Sequence, residues 1–382
     1  MSDAHDPPPA DEPAPAASAE EPAPAAAECP DAESSPPAVR RRDLLLAGGL
    51  TGGLLLGGGA MARSAGSEPL DGVYGGAGAP DASGHGGHGN DDLEALGVVR
   101  EGYGHGPAPP ADLDPDLVAS LTHPPEPDGA EPGATRDLDL PVTAERWAVA
   151  AGLTVPAWLY GGRLPGPAIR AREGDRLRLR LDNRTDLAHN LHLHGAHDPQ
   201  MDGWEPIPAG ESFTYDLEAR PAGLHPYHCH VPPLAEHVRR GLYGAMIVDP
   251  PEPREPALEV MLVLGGFDID GDGRNELYAF NGICGLYDRH PIRVEVDRLV
   301  RVYLVNMIEG DPVASFHLHA QTFDVFRSGT STSPHEHTDQ ITLAQSDRAV
   351  LEFRLPTRGR YMFHPHQHRM AERGAMGWFT AV

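Results

Sequence analysis

Four of the His-x-His pairs in the second half of the 382-residue chain most constrain its fold, and one of these four has a cysteine at its centre. The pairs are His192-Leu193-His194, His228-Cys229-His230, His317-Leu318-His319 and His364-Pro365-His366. Side chains two residues apart on a strand point the same way, so each pair predicts two imidazoles on one face of an extended segment. The thiol in the second pair would point to the opposite face. One short strand can therefore hold a thiolate-bound metal on one side and an imidazole-bound metal on the other.

The thiolate side can be completed from nearby residues. His189 lies three positions before His192, so on a strand it faces the side that Cys229 faces, and His237 follows eight residues after Cys229. Two imidazoles and one thiolate are the ligand set of a blue-copper electron-transfer centre, which usually adds a weak axial Met. Leu242 stands at the axial position here. A lone Cys is most often a small buried hydrophobic residue, but these neighbours favour copper.

Residues 136 to 382 resemble the multicopper oxidases through "LPGPAIRAREGDRLRLRLDNRTDLAHNLHLHG" and "YHCH". The resemblance implies that eight histidines hold a trinuclear copper cluster, which reduces dioxygen to water. It implies a type 2 copper at His192 and His317 and a type 1 copper at His189, Cys229 and His237. Electrons would pass from Cys229 through His228 and His230. The implied ligands of the type 3 copper pair are His194, His228, His230, His319, His364 and His366.

The chain departs from three-domain laccases, which carry the cysteine motif in the last domain. Here the last pair has Pro365 in place of Cys, and Ala314 stands where the second domain would match His189. This pattern resembles two-domain laccases that keep the type 1 copper in domain one. Those relatives form head-to-tail trimers, which implies a homotrimer with trinuclear sites between subunits. Leu242, where that group commonly has Met, predicts a more oxidising type 1 centre.

An internal repeat predicts two related domains. The segment "EGDRLRLRLDN" before "HNLHLHG" aligns with "EVDRLVRVYLVN" before "ASFHLHA". Short β-type runs separated by Gly and Pro turns are typical of Greek-key barrels and sandwiches. We therefore predict an all-β fold of two tandem cupredoxin-like Greek-key domains, at residues 136–252 and 253–382.

The N-terminal part differs in composition. Residues 1–39 are rich in Pro, Ala and acidic side chains and cannot bury enough apolar surface to fold. Arg41 and Arg42, a Gly/Leu-rich stretch and an A-x-A site ending at Ala62 predict a twin-arginine export signal over residues 1–62. An uncleaved membrane anchor is the alternative, but the apolar stretch is short for a bilayer span. Residues 63–135 then predict a mobile Gly/Pro-rich extension.

Two acidic segments allow alternative interpretations. Asp202, just after the first pair, either relays protons to dioxygen beside the copper cluster or is an ordinary turn aspartate before Gly203. Asp268, Asp270 and Asp272 resemble the start of a calcium loop, but Ala279 occupies the twelfth position, where such a loop needs Glu. A solvated hairpin turn is the interpretation we favour there.

The sequence as a whole predicts an exported, laccase-like oxidase with four coppers per protomer. It would use dioxygen and a small-molecule reductant, of phenolic or aromatic type. The formal charge of −26 disfavours nucleic acid and anionic membranes as partners. One alternative is a copper-containing nitrite reductase, which needs three histidines at its second copper and no His after the Cys. The other is a copper-sequestering or delivery protein without turnover, but the nine Met are scattered rather than clustered.

Overall fold

The computed structural model describes residues 93, 95–99, 106–126 and 133–382. The export signal predicted for residues 1–62 lies outside the described residues. The first described helix, α1, spans Pro115–Thr122. In the described part of the chain, no helix is both long enough and apolar enough to cross a membrane.

The strands of the first domain are β1 Thr135–Ala150, β2 Leu153–Tyr160, β3 Ile169–Arg172, β4 Arg176–Asn183, β5 His192–Leu193, β6 Ser212–Glu218, β7 Gly223–His228 and β8 Tyr243–Asp249. They form two four-stranded sheets, in the orders β2-β1-β4-β6 and β3-β8-β7-β5. Strand β4 shows why the sequence forms the first of these sheets, because its three leucines are buried while the arginines between them are exposed. Helix α2, Leu234–Arg239, precedes the last strand.

The strands of the second domain are β9 Leu258–Phe267, β10 Leu277–Phe280, β11 His290–Val294, β12 Leu299–Asn306, β13 Val313–Leu318, β14 Phe323–Arg327, β15 Glu336–Thr338, β16 Gln340–Ala344, β17 Arg348–Arg354, β18 Gly359–His364 and β19 Gly377–Ala381. They repeat the two-layer plan with a six-stranded sheet, β10-β9-β12-β17-β14-β15, and a five-stranded sheet, β11-β19-β18-β13-β16. The helices of this domain are α3, Leu286–Arg289, and α4, His368–Glu372.

Each domain has its own apolar core, and a third apolar cluster joins the two domains. Leu224 and Ile247 from the first domain pack in one cluster with Val263 and Val350 from the second. The all-β prediction of two cupredoxin-like domains is confirmed. The shared cluster means that the two domains of one chain pack directly against each other.

Buried charges also join the two domains. Arg170 on β3 binds Asp249 through two hydrogen bonds of 2.8 Å and Glu259 on β9 through two of 2.5 Å and 3.3 Å. Glu259 in turn accepts hydrogen bonds from Arg301 at 3.1 Å and from Tyr303 at 2.9 Å. Burial alone would lower the pKa of Arg170, but the hydrogen bonds to Asp249 and Glu259 raise it overall. Arg170 is therefore charged and paired inside the domain junction.

The described residues of the 63–135 extension are not the mobile segment that its composition predicted. Leu93 and Leu121 are each 1% exposed, and Leu121 lies in the apolar core of the second domain. Asn281 donates a hydrogen bond to the Leu121 carbonyl oxygen at 2.8 Å, and the Thr122 hydroxyl lies 3.1 Å from the Tyr287 hydroxyl. A few apolar side chains in this Gly/Pro-rich stretch suffice to anchor it.

The acidic loop at Asp268 connects β9 to β10, which pair antiparallel, so the predicted hairpin turn is present. The Asp268 carboxylate accepts hydrogen bonds from the backbone N–H groups of Gly271 and Gly273. Carboxylate oxygens of Asp268, Asp270 and Glu276 lie within 4.8 Å of one another. Calcium binding stays the alternative that the sequence disfavours.

Candidate metal centres

Three predicted ligands meet around Cys229. The Cys229 Sγ lies 3.2 Å from the His237 Nδ1 and 4.0 Å from the His189 Nδ1, and the two Nδ1 atoms are 3.1 Å apart. His237 comes from α2, Cys229 follows β7, and His189 lies in the loop before β5. One thiol sulfur and two imidazole nitrogens thus converge on one point, which is the donor set that copper prefers in electron-transfer sites. We refer to these three residues as the Cys229 site.

Burial keeps this site uncharged until a metal binds. Burial, together with a smaller effect of His237, lowers the pKa of His189 to about 4, and burial raises the pKa of the Cys229 thiol. It also lowers the pKa of His237. Both imidazoles are therefore neutral near pH 7 and have lone pairs for a metal, while the thiol must lose its proton on binding.

Leu242 is fully buried and packs in the same apolar cluster as Cys229. Its backbone carbonyl accepts a hydrogen bond from the Cys229 N–H at 3.0 Å, and its own N–H donates to the His237 carbonyl oxygen at 3.2 Å. The backbone at Leu242 thus joins two of the three ligand residues. The axial place of Leu242 stays a prediction, and a hydrocarbon side chain there would have no atom to donate to a metal.

The pairing of β5 with β7 assembles the first imidazole group. His192 lies directly opposite His228 in this antiparallel register. The ring centroids of His192 are 5.1 Å from His194, 5.2 Å from His228 and 5.4 Å from His230. The Nε2 atoms of His194 and His228 approach to 3.3 Å. These four histidines form what we call the domain-one half-site.

The second domain builds a matching group from the pairing of β13 with β18. His317 lies opposite His364, which repeats the register of the first domain. The His317 ring centroid is 4.7 Å from that of His319 and 4.9 Å from that of His366. The Nε2 atoms of His319 and His364 are 2.8 Å apart. These four histidines form the domain-two half-site.

Hydrogen bonds at Nδ1 aim several of these rings. The Nδ1 of His228 lies 3.0 Å from the carbonyl oxygen of Cys229, and that of His364 lies 2.8 Å from the carbonyl oxygen of Pro365. The Nδ1 of His317 lies 2.9 Å from the Asp339 carbonyl oxygen. A carbonyl oxygen only accepts, so each Nδ1 donates and each Nε2 is left with a lone pair for a metal.

Asp202 holds His192 in the same way. Its Oδ1 lies 2.9 Å from the His192 Nδ1 and 2.9 Å from the His197 Nε2. The next residue must be Gly203, because its φ is +72° and an added Cβ would lie 2.2 Å from the Leu191 carbonyl oxygen. The tight turn and the hydrogen bond to the His192 ring are therefore both present, while the proton relay through Asp202 stays a prediction.

The two half-sites of one chain do not meet. Among the described residues, no hydrogen bond or ring contact joins a histidine of one half-site to a histidine of the other. The predicted eight-histidine set is therefore present in this chain as two separate groups of four. Each group alone has too few imidazoles for the three-copper cluster that the sequence predicts.

Sequence reasoning missed Asn190, which connects the Cys229 site to the domain-one half-site. Its Oδ1 accepts a hydrogen bond of 2.7 Å from the His230 N–H and lies 3.6 Å from the Cys229 Sγ. Its position directly after His189 was a signal that could have been used. Two other histidines near the pairs make contacts with nearby residues. His225 donates a hydrogen bond to the Pro221 carbonyl oxygen, and the ring centroid of His368 lies 5.8 Å from that of His366.

Comparison with known proteins agrees with this geometry. Family models for multicopper oxidases match residues 141–253 and 256–382. The chain belongs to the multicopper oxidase family. A solved structure of a multicopper oxidase is 41% identical, with a TM-score of 0.64, and the match covers 65% of this chain and 89% of that one. The protein is therefore an oxidoreductase, and copper is its metal.

Copper nitrite reductases are also similar to this member of the family. The structure of the enzyme from Nitrosomonas europaea is 27% identical, with a TM-score of 0.60, over 65% of this chain and 94% of that one. The copper-containing nitrite reductase of Neisseria meningitidis serogroup B is 26% identical over 293 residues, which cover 69% of this chain and 74% of that protein. The shared fold thus extends across both classes of copper enzyme.

Proposed function

We propose that this multicopper oxidase is laccase-like, coupling one-electron oxidation of a small reductant, phenolic or aromatic in type, to the four-electron reduction of dioxygen to water. The observation that carries the proposal is the place of Cys229 between His228 and His230. The Cys229 side chain belongs to the buried site, while both neighbouring rings belong to the domain-one half-site. A few covalent bonds thus join an electron-accepting site to a site with imidazoles for further metal ions.

The chain's own residues prepare both sites for this chemistry. Bound copper would accept and donate single electrons at the Cys229 site and would bind and reduce dioxygen at the imidazole groups. Burial lowers the pKa of His194 to about 3 and that of His228 to about 4, with neighbouring histidines adding to both effects. These rings are therefore neutral ligands at physiological pH. Asp202 accepts hydrogen bonds beside His192, where it can hold a proton for the reduced oxygen.

We further propose that each trinuclear site forms between two copies of the chain. The half-sites are separate within one chain, and the domains are fixed to each other by apolar packing and by Arg170. Trp204 supports the proposal that a second subunit covers the surface at the domain-one half-site. Trp204 is 64% exposed in the single chain, and its ring centroid lies 5.9 Å from that of His230. Large exposed aromatic side chains are typical anchors of interfaces. A head-to-tail contact closes into a ring when the rotation between neighbouring subunits allows it, and we propose a homotrimer with four coppers per protomer.

Complementation between inactive variants tests this arrangement. One variant carries His192→Ala and His194→Ala, and the other carries His317→Ala and His319→Ala. After the two are dissociated, mixed and reassembled with copper, some interfaces pair two intact half-sites, so part of the oxygen consumption should return. Each variant reassembled alone is the control. A fully active wild-type monomer in sedimentation, or mixtures without recovered activity, would contradict the shared site.

Nitrite reduction is the rival function, because proteins of that name are among the relatives. His230 and the paired histidines of both domains favour dioxygen, since the rival chemistry needs three histidines at its second copper. Dioxygen reduction and nitrite reduction are distinguished by measuring oxygen consumption and nitrite consumption with the same reductant. A copper-delivery protein without turnover would show neither.

We also propose export by the twin-arginine route, which a fusion of residues 1–62 to a folded reporter would test.

A further inference from the structure

The residues of the Cys229 site have almost no contact with solvent. His189 and Cys229 are fully buried, and only 4% of His237 is exposed. A reductant outside the protein therefore has almost no access to either imidazole that would hold the copper. The side chains packed against these two rings are the places to look for a route for the electron.

Trp158 on β2 contacts both of these imidazoles. Its ring centroid lies 5.0 Å from that of His189 and 4.9 Å from that of His237, with the planes tilted by 60° and 51°. The two imidazole centroids are themselves 5.0 Å apart. Within the described ranges, no aromatic ring other than Trp158 contacts either imidazole, apart from the contact between the two. The three rings thus form a compact triangle beside the ligand atoms.

Arg240 extends this group of rings towards the surface. Its guanidinium carbon lies 4.6 Å from the Trp158 ring centroid, and its side chain is 31% exposed. Trp158 is 6% exposed, and its backbone N–H donates to the Arg240 carbonyl oxygen at 2.8 Å. Arg240 also forms an ion pair of 3.0 Å with Glu236, which is one turn earlier. Arg240, Trp158 and the imidazoles therefore form consecutive layers from solvent to the site.

We infer that Trp158 is the bridge through which electrons from outer-sphere, one-electron donors reach the Cys229 site. The inference rests on the proposed oxidase function and specifies its donor, which need not bind the metal or a ligand histidine. The donor loses one electron and the metal gains it. No bond forms or breaks in the indole, and no proton leaves it. A cation over an aromatic face stabilises the ring electrons, so Arg240 makes a lasting Trp158 radical less favourable.

The test is the anaerobic reduction of the copper-loaded protein by ruthenium(II) hexaammine, an inert complex that donates electrons only from outside. Loss of the blue absorption band in stopped flow gives the rate. Trp158→Leu should slow this rate about tenfold, equivalent to about 1.4 kcal/mol in barrier height. The matched control is Trp378→Leu, because the guanidinium carbon of Arg360 lies 4.0 Å from the Trp378 ring centroid in the second domain. The copper of the control variant should be reduced at the wild-type rate.

A structural role for Trp158 would change other quantities. The blue spectrum and the midpoint potential of the site should stay unchanged in Trp158→Leu. If the midpoint potential of Trp158→Leu does change, the loss in reduction rate must be larger than that change explains. A loss in rate that the change in potential fully explains overturns the inference. Tryptophan fluorescence gives a readout that needs no turnover. It is measured as the apoproteins of the wild type and of Trp158→Phe take up copper, and the difference between the two gives the emission of Trp158. Emission from Trp158 should be quenched more strongly than the remaining emission, and equal quenching would count against the contact.

A variant that cannot hold the blue centre does not end the test. If Trp158→Leu loses the blue band, the same rate is measured on Trp158→Phe, which keeps a smaller ring at the position and should still be slowed. A wild-type rate in the blue variant overturns the inference. A wild-type protein that is not blue, or that consumes no oxygen, would instead contradict the proposed function. The two failures are therefore distinguishable.

Discussion

Replacing Arg170 by Met should destabilise the protein because Arg170 joins the two domains through buried charges. The side chain is 6% exposed, and it binds Asp249 and Glu259, which are 18% and 15% exposed. Met keeps the unbranched hydrocarbon but removes the guanidinium and its hydrogen bonds. The Pro125 carbonyl oxygen also loses a donor at 2.8 Å. The main cost comes from the Asp249 carboxylate, which stays in the junction without its bidentate partner.

Removing one partner of a buried ion pair typically costs about 3–5 kcal/mol. The low end applies here, since Asp249 is partly solvated and Glu259 keeps its hydrogen bonds from Arg301 and Tyr303. We therefore expect a loss of about 3 kcal/mol in the free energy of unfolding. For a folded region of roughly 250 residues, that corresponds to a melting temperature lower by about 6–12 °C.

Scanning calorimetry of the apoprotein measures this effect without a contribution from copper. The matched control is Arg176→Met, since Arg176 also binds a carboxylate, Asp216, through two hydrogen bonds of 2.6 Å. That pair lies on the surface, with side-chain exposures of 64% and 32%, so water screens it and its loss should change the melting temperature little. If Arg170→Met lowered the melting temperature no more than Arg176→Met, the junction would not depend on the buried charges.

Three further predictions concern the metal sites. Cys229→Ser should remove the blue absorption band and the oxidase activity while the imidazole groups still bind copper, and a variant that stays blue in visible spectroscopy would refute the assignment. Leu242→Met should lower the midpoint potential in a redox titration, because a thioether sulfur at the axial position stabilises oxidised copper; an unchanged or higher potential would place Leu242 elsewhere. The apoprotein should lose stability as the pH falls below about 6.5, the ordinary pKa of His. Burial lowers the pKa values of His189, His194 and His228 to about 4, 3 and 4, so the unfolded state binds more protons in this window. Denaturation midpoints at pH 7 and pH 5 measure this loss, and replacing the three histidines by Gln should flatten the difference.

The ligands could be predicted from sequence because their geometry is local. Alternation along a strand already places His192 and His194 on one side, and the spacing from His228 to His230 leaves Cys229 facing the other. The prediction of the Cys229 site needed only two more assumptions, that His189 and His237 fold back near the strand. The structure brings these residues together as that reasoning required.

The residues around the ligands could not be predicted because their contacts join distant segments. Trp158 is 31 positions before His189 and 79 before His237, and nothing in its surrounding sequence indicates a ligand contact. The ion pair of Arg170 with Glu259 spans 89 positions. The mobility predicted for the described residues of the 63–135 extension was wrong for another reason. The average composition of a segment does not reveal single buried side chains, such as Leu121, that anchor it.

The repeated register explains why one chain carries two incomplete imidazole groups. His192 opposite His228 and His317 opposite His364 are the same structural solution used twice. The second domain has no equivalent of the Cys229 site, because Ala314 is fully buried in an apolar core and Pro365 stands between its last two ligands. If the Cys229 site holds the type 1 copper, as we propose, only the first domain would accept electrons and pass them on. If the cluster forms between subunits, each one would receive electrons from a single Cys229 site, that of the chain contributing His228 and His230.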